Sequence, residues 1–257
     1  MFPIETLQLP KWIEDDINDT YYLANFGDKR KGSKYYKTIL ASFNGDREMA
    51  LKSFLQAYLA CVAFVDEQIG KVVKAIENSP YSDNTVIIFT SDHGWQMGEK
   101  NYLFKNSPWE ESARIPLIFK LPNQEEGSEV DQPVSLIDIF PTLIDLCNLK
   151  GNYRKNVNGG DIGGFSLKPL LYENGKWQGP DGALTLVGNN GHSKSENEQT
   201  YSYRTRQFRL IRYGNGKLEL YDHYKDPHEW QNIANDKKNK KLIQQLNNEM
   251  DNILINR

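Results

Sequence analysis

The chain has 257 residues, 39% of them hydrophobic and 25% charged, with a formal net charge of −3. That length can bury a sizeable core in one or two domains, and the charge gives no support for general nucleic-acid binding. No apolar run nears the roughly 20 residues that span a bilayer, the N-terminal MFPIETLQLPKW lacks signal-peptide regions, and Cys61 and Cys147 suit neither a disulfide framework nor a metal motif.

Residues 1 to 47 are polar and carry Pro3, Pro10, an acidic cluster and Lys29-Arg30-Lys31-Gly32, so they read as irregular surface with room for one short helix. From Glu48 to Asn78 an amphipathic helix is predicted: Leu51, Leu55, Tyr58, Val62, Val65, Ile69, Val72 and Ile76 recur at helical spacing until Ser79-Pro80 ends it. Thr85 to Thr90 is apolar and β-branched, the pattern of a strand buried on both faces. It stops at Ser91-Asp92-His93-Gly94, where Gly94 would let the backbone turn sharply. A second strand is expected from Arg114 to Lys120, with Pro116 unable to donate to a ladder. A helix follows from about Asp138, its expected N-cap, to Leu149, with Pro141 in its first turn. Strand and helix thus alternate over 48 to 149 as in an α/β layered unit. Residues 150 to 180 hold seven glycines and read as loop with one helical turn near Ser166 to Leu171. Ala183 to Val187, Thr200 to Arg206, Gln207 to Tyr213 and Lys217 to Tyr221 read as short strands, with Gly214-Asn215-Gly216 as a hairpin turn. Asp236 to Ile255 closes as a helix with Leu242, Leu246, Met250 and Leu254 on one stripe.

In open α/β sheets, ligands bind beyond the carboxyl ends of the strands, which is where Asp92 and His93 fall. A carboxylate beside an imidazole suits a metal, and Lys105, twelve residues beyond His93, can hold an oxyanion. Without further context, a turn aspartate and a surface histidine are the better explanation of the pair, because D-H-G after a strand is a weak motif, and a solvated loop explains Lys105. Lys100 competes with Lys105 for the anion-binding role.

Thr85 to Lys105 (TVIIFTSDHGWQMGEKNYLFK) resembles the sulfatase family of the alkaline-phosphatase-like superfamily, nearest the iduronate-2-sulfatase and choline-sulfatase-like members. The likeness extends to the helix from Ser53 to Gly70, to EESARIPLIF and VSLIDIFPTL, to Tyr203-Arg204-Thr205, to Leu218–Asp222 and to Asp226-Pro227-His228-Glu229. It implies an α/β fold: the C-terminal part of an alkaline-phosphatase-like α/β sandwich over residues 1–150, then a linker and a small antiparallel sheet with a C-terminal helix over 151–257. It implies that Asp92 and His93 ligate a divalent cation, usually Ca2+, that Lys105 contacts sulfate, and that Trp95 lies near the substrate. The loop holding His192 would stand by the substrate mouth, although a surface histidine accounts for it as well. His223, His228 and Asp66 read as structural, and Arg204, Arg206, Arg209 and Arg212 as solvated and partly paired.

The family's formylglycine nucleophile arises in a C/S-x-P-S-R or C/S-x-A-S-R run, and neither pattern occurs here. The early Asp-Asp pair that adds metal ligands is also unmatched, because Asp15-Asp16 lacks a preceding strand. The expectation is the C-terminal half of a sulfatase acting on sulfated saccharide, incomplete alone, with the formylglycine on a missing N-terminal half that could act as its partner. Intact members are expected in the periplasm or outside the cell. The rival readings are a phosphate-ester hydrolase of the same superfamily and a non-catalytic remnant.

Overall fold

The computed structural model describes residues 2–21, 30–124, 126–151, 153, 162–172, 176–188 and 199–255. The chain divides into two compact units, Met1–Gly127 and Ser128–Arg257.

In the first unit, α1 (Lys31–Ser42) and α2 (Arg47–Glu77) are joined by a tight turn. Asn44 (φ 54°) and Gly45 (φ 86°) take left-handed backbone there, and Gly45 N–H returns to the Leu40 carbonyl at 2.8 Å. The Asp46 carboxylate caps α2 by accepting from Met49 N–H at 3.0 Å. Tyr36, Leu51 and Leu103 form the buried core, with Leu9, Ile39, Leu40 and Phe54 packed against them. The polar composition of Lys31–Ser42 hides α1 in the sequence; its signal is the Tyr36, Ile39, Leu40 spacing.

After α2 come β1 (Ile87–Thr90), the single turn α3 (Glu110–Ala113) and β2 (Leu117–Lys120). β1 and β2 pair antiparallel, from Ile87↔Lys120 to Thr90↔Leu117, and make a two-stranded sheet. β2 begins immediately after Pro116, which therefore owes no ladder bond. The expectation of a strand buried on both faces is not met: Ile87 and Ile88 are half-buried, and Phe89 and Thr90 are exposed. Likewise only the first turns of α2 are buried, at Ala50 and Leu51, while Tyr58, Val62, Val65 and Val72 of the predicted stripe are exposed. The pattern correctly marks apolar faces that the described residues leave uncovered.

In the second unit a short turn, Leu136–Asp138, leads into α4 (Ile139–Leu146), and α5 (Lys168–Leu171) follows. Asp138 stands at the expected N-cap position of α4, but its backbone is already helical and its side chain makes no capping bond to that helix. It is the third residue of a capping box begun by Ser135, its Oδ2 accepting from Ser135 N–H at 2.8 Å. Its Oδ1 accepts from Phe165 N–H, also at 2.8 Å, and ties the later loop to this corner.

Strands β3 (Gly182–Val187), β4 (Thr200–Thr205), β5 (Phe208–Arg212) and β6 (Leu218–Asp222) form an antiparallel sheet in that order. The final helix, α6 (Lys240–Ile255), sets Leu246 and Met250 into a core of Leu184, Tyr201, Tyr203, Leu210 and Leu220. Arg209 departs from the solvated arrangement expected of the β4–β5 arginines. It is 1% exposed, and its guanidinium donates to Glu229 Oε1 at 2.5 Å and Ser202 Oγ at 2.7 Å. His223 Nε2 meets the same Glu229 oxygen at 2.8 Å, so this histidine belongs to a buried charge network. His228 stacks on Trp230 with ring centroids 4.7 Å apart.

Candidate active site

Beyond Thr90, the last residue of β1, the chain is held by backbone contacts that leave little freedom. Ser91 Oγ donates to the His93 carbonyl at 2.9 Å, and Gly94 N–H donates to the Ser112 carbonyl at 2.9 Å. Gly94 does not take the left-handed backbone that a sharp turn would demand. Glycine is required for a different reason: a Cβ there would lie 2.1 Å from the Glu111 carbonyl oxygen and 2.8 Å from that of Arg114.

Residues 94 to 106 fold back on themselves. Gln96 N–H bonds the Phe104 carbonyl at 3.2 Å and Gly98 N–H bonds the Tyr102 carbonyl at 3.0 Å, so Lys105 returns alongside His93. The tip is strained, with Lys100 and Asn101 both at φ 52°, a conformation that costs a non-glycine residue about 1–2 kcal/mol. Asp16 holds that tip in place. Its Oδ1 takes the Lys100 ammonium at 2.6 Å and its Oδ2 takes Lys100 N–H at 3.2 Å, with both side chains 2% exposed or less. Burial pushes the Asp16 carboxyl above its usual range, with Lys100 opposing that shift. Lys100 is thus committed to the fold, which leaves Lys105 as the lysine beside His93. Asp16 likewise serves the loop. The partners stand 84 positions apart in the chain, and no local pattern announces them.

His93 Nδ1 lies 2.9 Å from the Gly94 carbonyl, which can only accept. The proton therefore sits on Nδ1 and the lone pair on Nε2, the tautomer a metal-ligating histidine needs. Nε2 receives the Lys105 ammonium at 2.7 Å and lies 3.5 Å from Asp92 Oδ2. The Asp92 side chain is 82% exposed, its carboxylate open to a ligand from outside. Oδ2, Nε2 and Nζ converge on one patch of surface. Asp92 and His93 can offer a cation one oxygen and one nitrogen donor once the Lys105 ammonium leaves the Nε2 lone pair, and two donors fall short of the roughly six to eight mainly oxygen ligands calcium takes. Among the described residues, no converging group of three His, Cys, Asp or Glu side chains includes this pair.

Trp95 points into an aromatic cluster, stacked on Phe54 at 6.2 Å and edge-on to Phe104 at 5.4 Å. With Tyr35, Thr38, Ile39, Ser42, Phe54 and Leu103 it lines a cavity of about 400 Å³. His192 lies outside the described residues. The sequence reading also passes over Gln96, Ser107 and Ser112, a buried chain linked by Ser107 Oγ to Ser112 Oγ at 2.6 Å and Gln96 Nε2 to Ser107 Oγ at 3.4 Å, which braces the loop from beneath.

Residues 21–149 match the family model described as Sulfatase, and residues 98–256 match that of N-sulphoglucosamine sulphohydrolase, C-terminal. A sulfatase of Formosa agariphila is 34% identical over 96% of this chain and 44% of its own length. The chain spans less than half the length of the curated relatives it matches. The solved structure of BT4656 in complex with its substrate D-glucosamine-2-N,6-O-disulfate is 30% identical and aligns with a TM-score of 0.65, over 87% of this chain and 47% of that one. A phosphonate monoester hydrolase from Silicibacter pomeroyi shares the fold at a TM-score of 0.78 and 20% identity, over 97% of this chain and 50% of its own.

Proposed function

The chain belongs to the sulfatase family, and we propose that it contributes Asp92, His93 and Lys105 to a sulfuric-ester hydrolase site for sulfated carbohydrate. The observation that carries this reading is the convergence of Asp92 Oδ2, His93 Nε2 and Lys105 Nζ just beyond β1. A divalent cation, calcium in this proposal, would be held in part by Asp92 and His93 and would supply positive charge to the sulfate oxygens. The Gly94 carbonyl fixes the His93 ring so that Nε2 faces the site. Lys105 stands where its ammonium can donate to the sulfate, whose charge grows as the ester bond breaks. Trp95 and its cavity would form the apolar flank of the substrate site.

The formylglycine nucleophile and further acidic ligands would come from outside these 257 residues, which contain no C/S-x-P-S-R or C/S-x-A-S-R run. The chain would then be inactive alone. Carbohydrate is favoured by the sulfated glucosamine named as the substrate of BT4656. A phosphate ester is the second reading, drawn from the phosphonate hydrolase that shares this fold.

The test assembles the chain with the unmatched part of the Formosa agariphila sulfatase and compares aryl sulfate with aryl phosphate. Sulfate turnover at least tenfold faster is expected. A clear phosphate preference would overturn the proposed chemistry.

A further inference from the structure

The middle of α2 is apolar on nearly every side. Ala57 to Val65 (AYLACVAFV) is nine apolar residues in succession, and all but Leu59 and Ala63 are exposed. Phe64 is 64% exposed, Val65 51% and Val72 59%. From Phe64 through Cys61, Val72, Val65 and Tyr58 to Val62 they cover an arc of roughly 160° at 100° per residue, wider than one layer of contact requires. A helix apolar over so much of its circumference belongs inside a protein. The β1–β2 pair in the same unit presents a second uncovered face. Phe89 and Ile118 stand directly opposite each other and are 39% and 57% exposed. Two strands alone make a marginal sheet, and their outer edges are templates for further strands.

A bilayer fits this surface poorly. Among the described residues α2 alone has the length and apolar content to cross a membrane. Yet its uncharged stretch, Ser53 to Val65, rises only about 20 Å against a hydrocarbon core of about 30 Å. Asp66, Glu67, Lys71, Lys74 and Glu77 charge the turns that follow. Protein fits better, because relatives and fold neighbours carry at least as much chain again beyond the part matched here. We propose that α2 from Ala57 to Val72, with the Phe89–Ile118 face, is the docking surface for a polypeptide carrying the remaining part of the sulfatase fold. This rests on the reading of the site as one completed from outside, and it names the surface through which completion occurs.

Cys61 lies within the patch and is an exposed thiol, so its alkylation reports coverage. The chain is co-expressed with the unmatched part of the Formosa agariphila sulfatase, and Cys61 modification is followed by peptide mass spectrometry. A 1:1 complex is expected, with Cys61 alkylated at least tenfold more slowly than in the chain alone. Val62→Asp with Val65→Asp should weaken association at least tenfold, whereas Lys241→Asp on α6 should leave it unchanged. Circular dichroism checks that the double variant is folded, and Val72→Lys replaces it otherwise. Absence of a complex, or a complex in which Cys61 stays as reactive as in the free chain, would overturn the proposal. So would protection of Cys61 by self-association or by anionic phospholipid vesicles. A complex with Cys61 protected but no sulfate-ester turnover would sink the proposed activity and leave the docking surface standing. Turnover with Cys61 unprotected would do the reverse.

Discussion

Lys105 and His93 meet because the intervening chain is folded back and its strained tip is anchored on Asp16. Removing one member of that buried pair strands the other charge, so Asp16→Ala should cost about 3–5 kcal/mol. The double change Asp16→Leu with Lys100→Met should cost less than the sum of the single ones, which urea unfolding of all three variants measures. Glu99, beside that tip, has its carboxyl pushed up to about 7 from an ordinary value near 4.5, chiefly by burial, with Met97 N–H and Arg47 opposing. A carboxyl raised on folding stabilises below its unfolded value and loses that contribution as pH rises through the folded one. Stability should therefore fall chiefly between pH 4.5 and about 7, by on the order of 2 kcal/mol after allowance for partial exposure. In Glu99→Gln that decline should flatten; an unchanged pH dependence in urea unfolding would assign it to another group. In the assembled enzyme, Lys105→Ala should lower kcat/KM about 100-fold or more, with partial recovery in Lys105→Arg. The placing of Asp92 and His93 just past a strand is legible in the sequence because strand and turn are local, whereas the roles proposed for them and for Lys105 come from the family resemblance. The Asp16 anchor is not legible, because its partner is remote and a lone Asp-Asp pair carries no signal of burial.

The two long helices follow from apolar spacing near 3.6, and the strands from short apolar or β-branched runs bounded by turn residues. Helix α1 is only weakly signalled because its apolar stripe is narrow and lies in a lysine-rich segment, and its other tethers, such as the Leu103 N–H on the Gly32 carbonyl at 3.2 Å, come from remote residues. Asp138 shows a subtler limit. Its residue type points correctly to a helix start, but whether it caps directly or reaches back to Ser135 depends on the turn before it. Because it also holds Phe165 N–H, Asp138→Ala should cost about 2–3 kcal/mol in thermal or urea unfolding, more than a cap alone. Gly94 is set by the approach of α3: Gly94→Ala should cost about 2–3 kcal/mol, since the Glu111 carbonyl occupies the space a methyl group needs.

Apolar patterning reports which surfaces must be covered without saying by what. β1 reads as a doubly covered strand and α2 as an amphipathic helix with one face to bury, and much of both apolar surfaces is exposed among the described residues. Asp92, His93 and Lys105 likewise converge with fewer donors than the proposed cation would take. The chain carries a mixed α/β fold of the alkaline-phosphatase-like kind over about half the length of its neighbours, and under the proposed function the unmatched part would supply both the cover and the missing donors. Calcium titration calorimetry, run on the chain alone and on the chain assembled with the unmatched part of the Formosa agariphila sulfatase, tests the half-site directly. The prediction is binding no tighter than about millimolar for the chain alone, and stoichiometric binding at least 100-fold tighter in the assembly, abolished by Asp92→Asn. Tight stoichiometric binding by the chain alone would contradict the account.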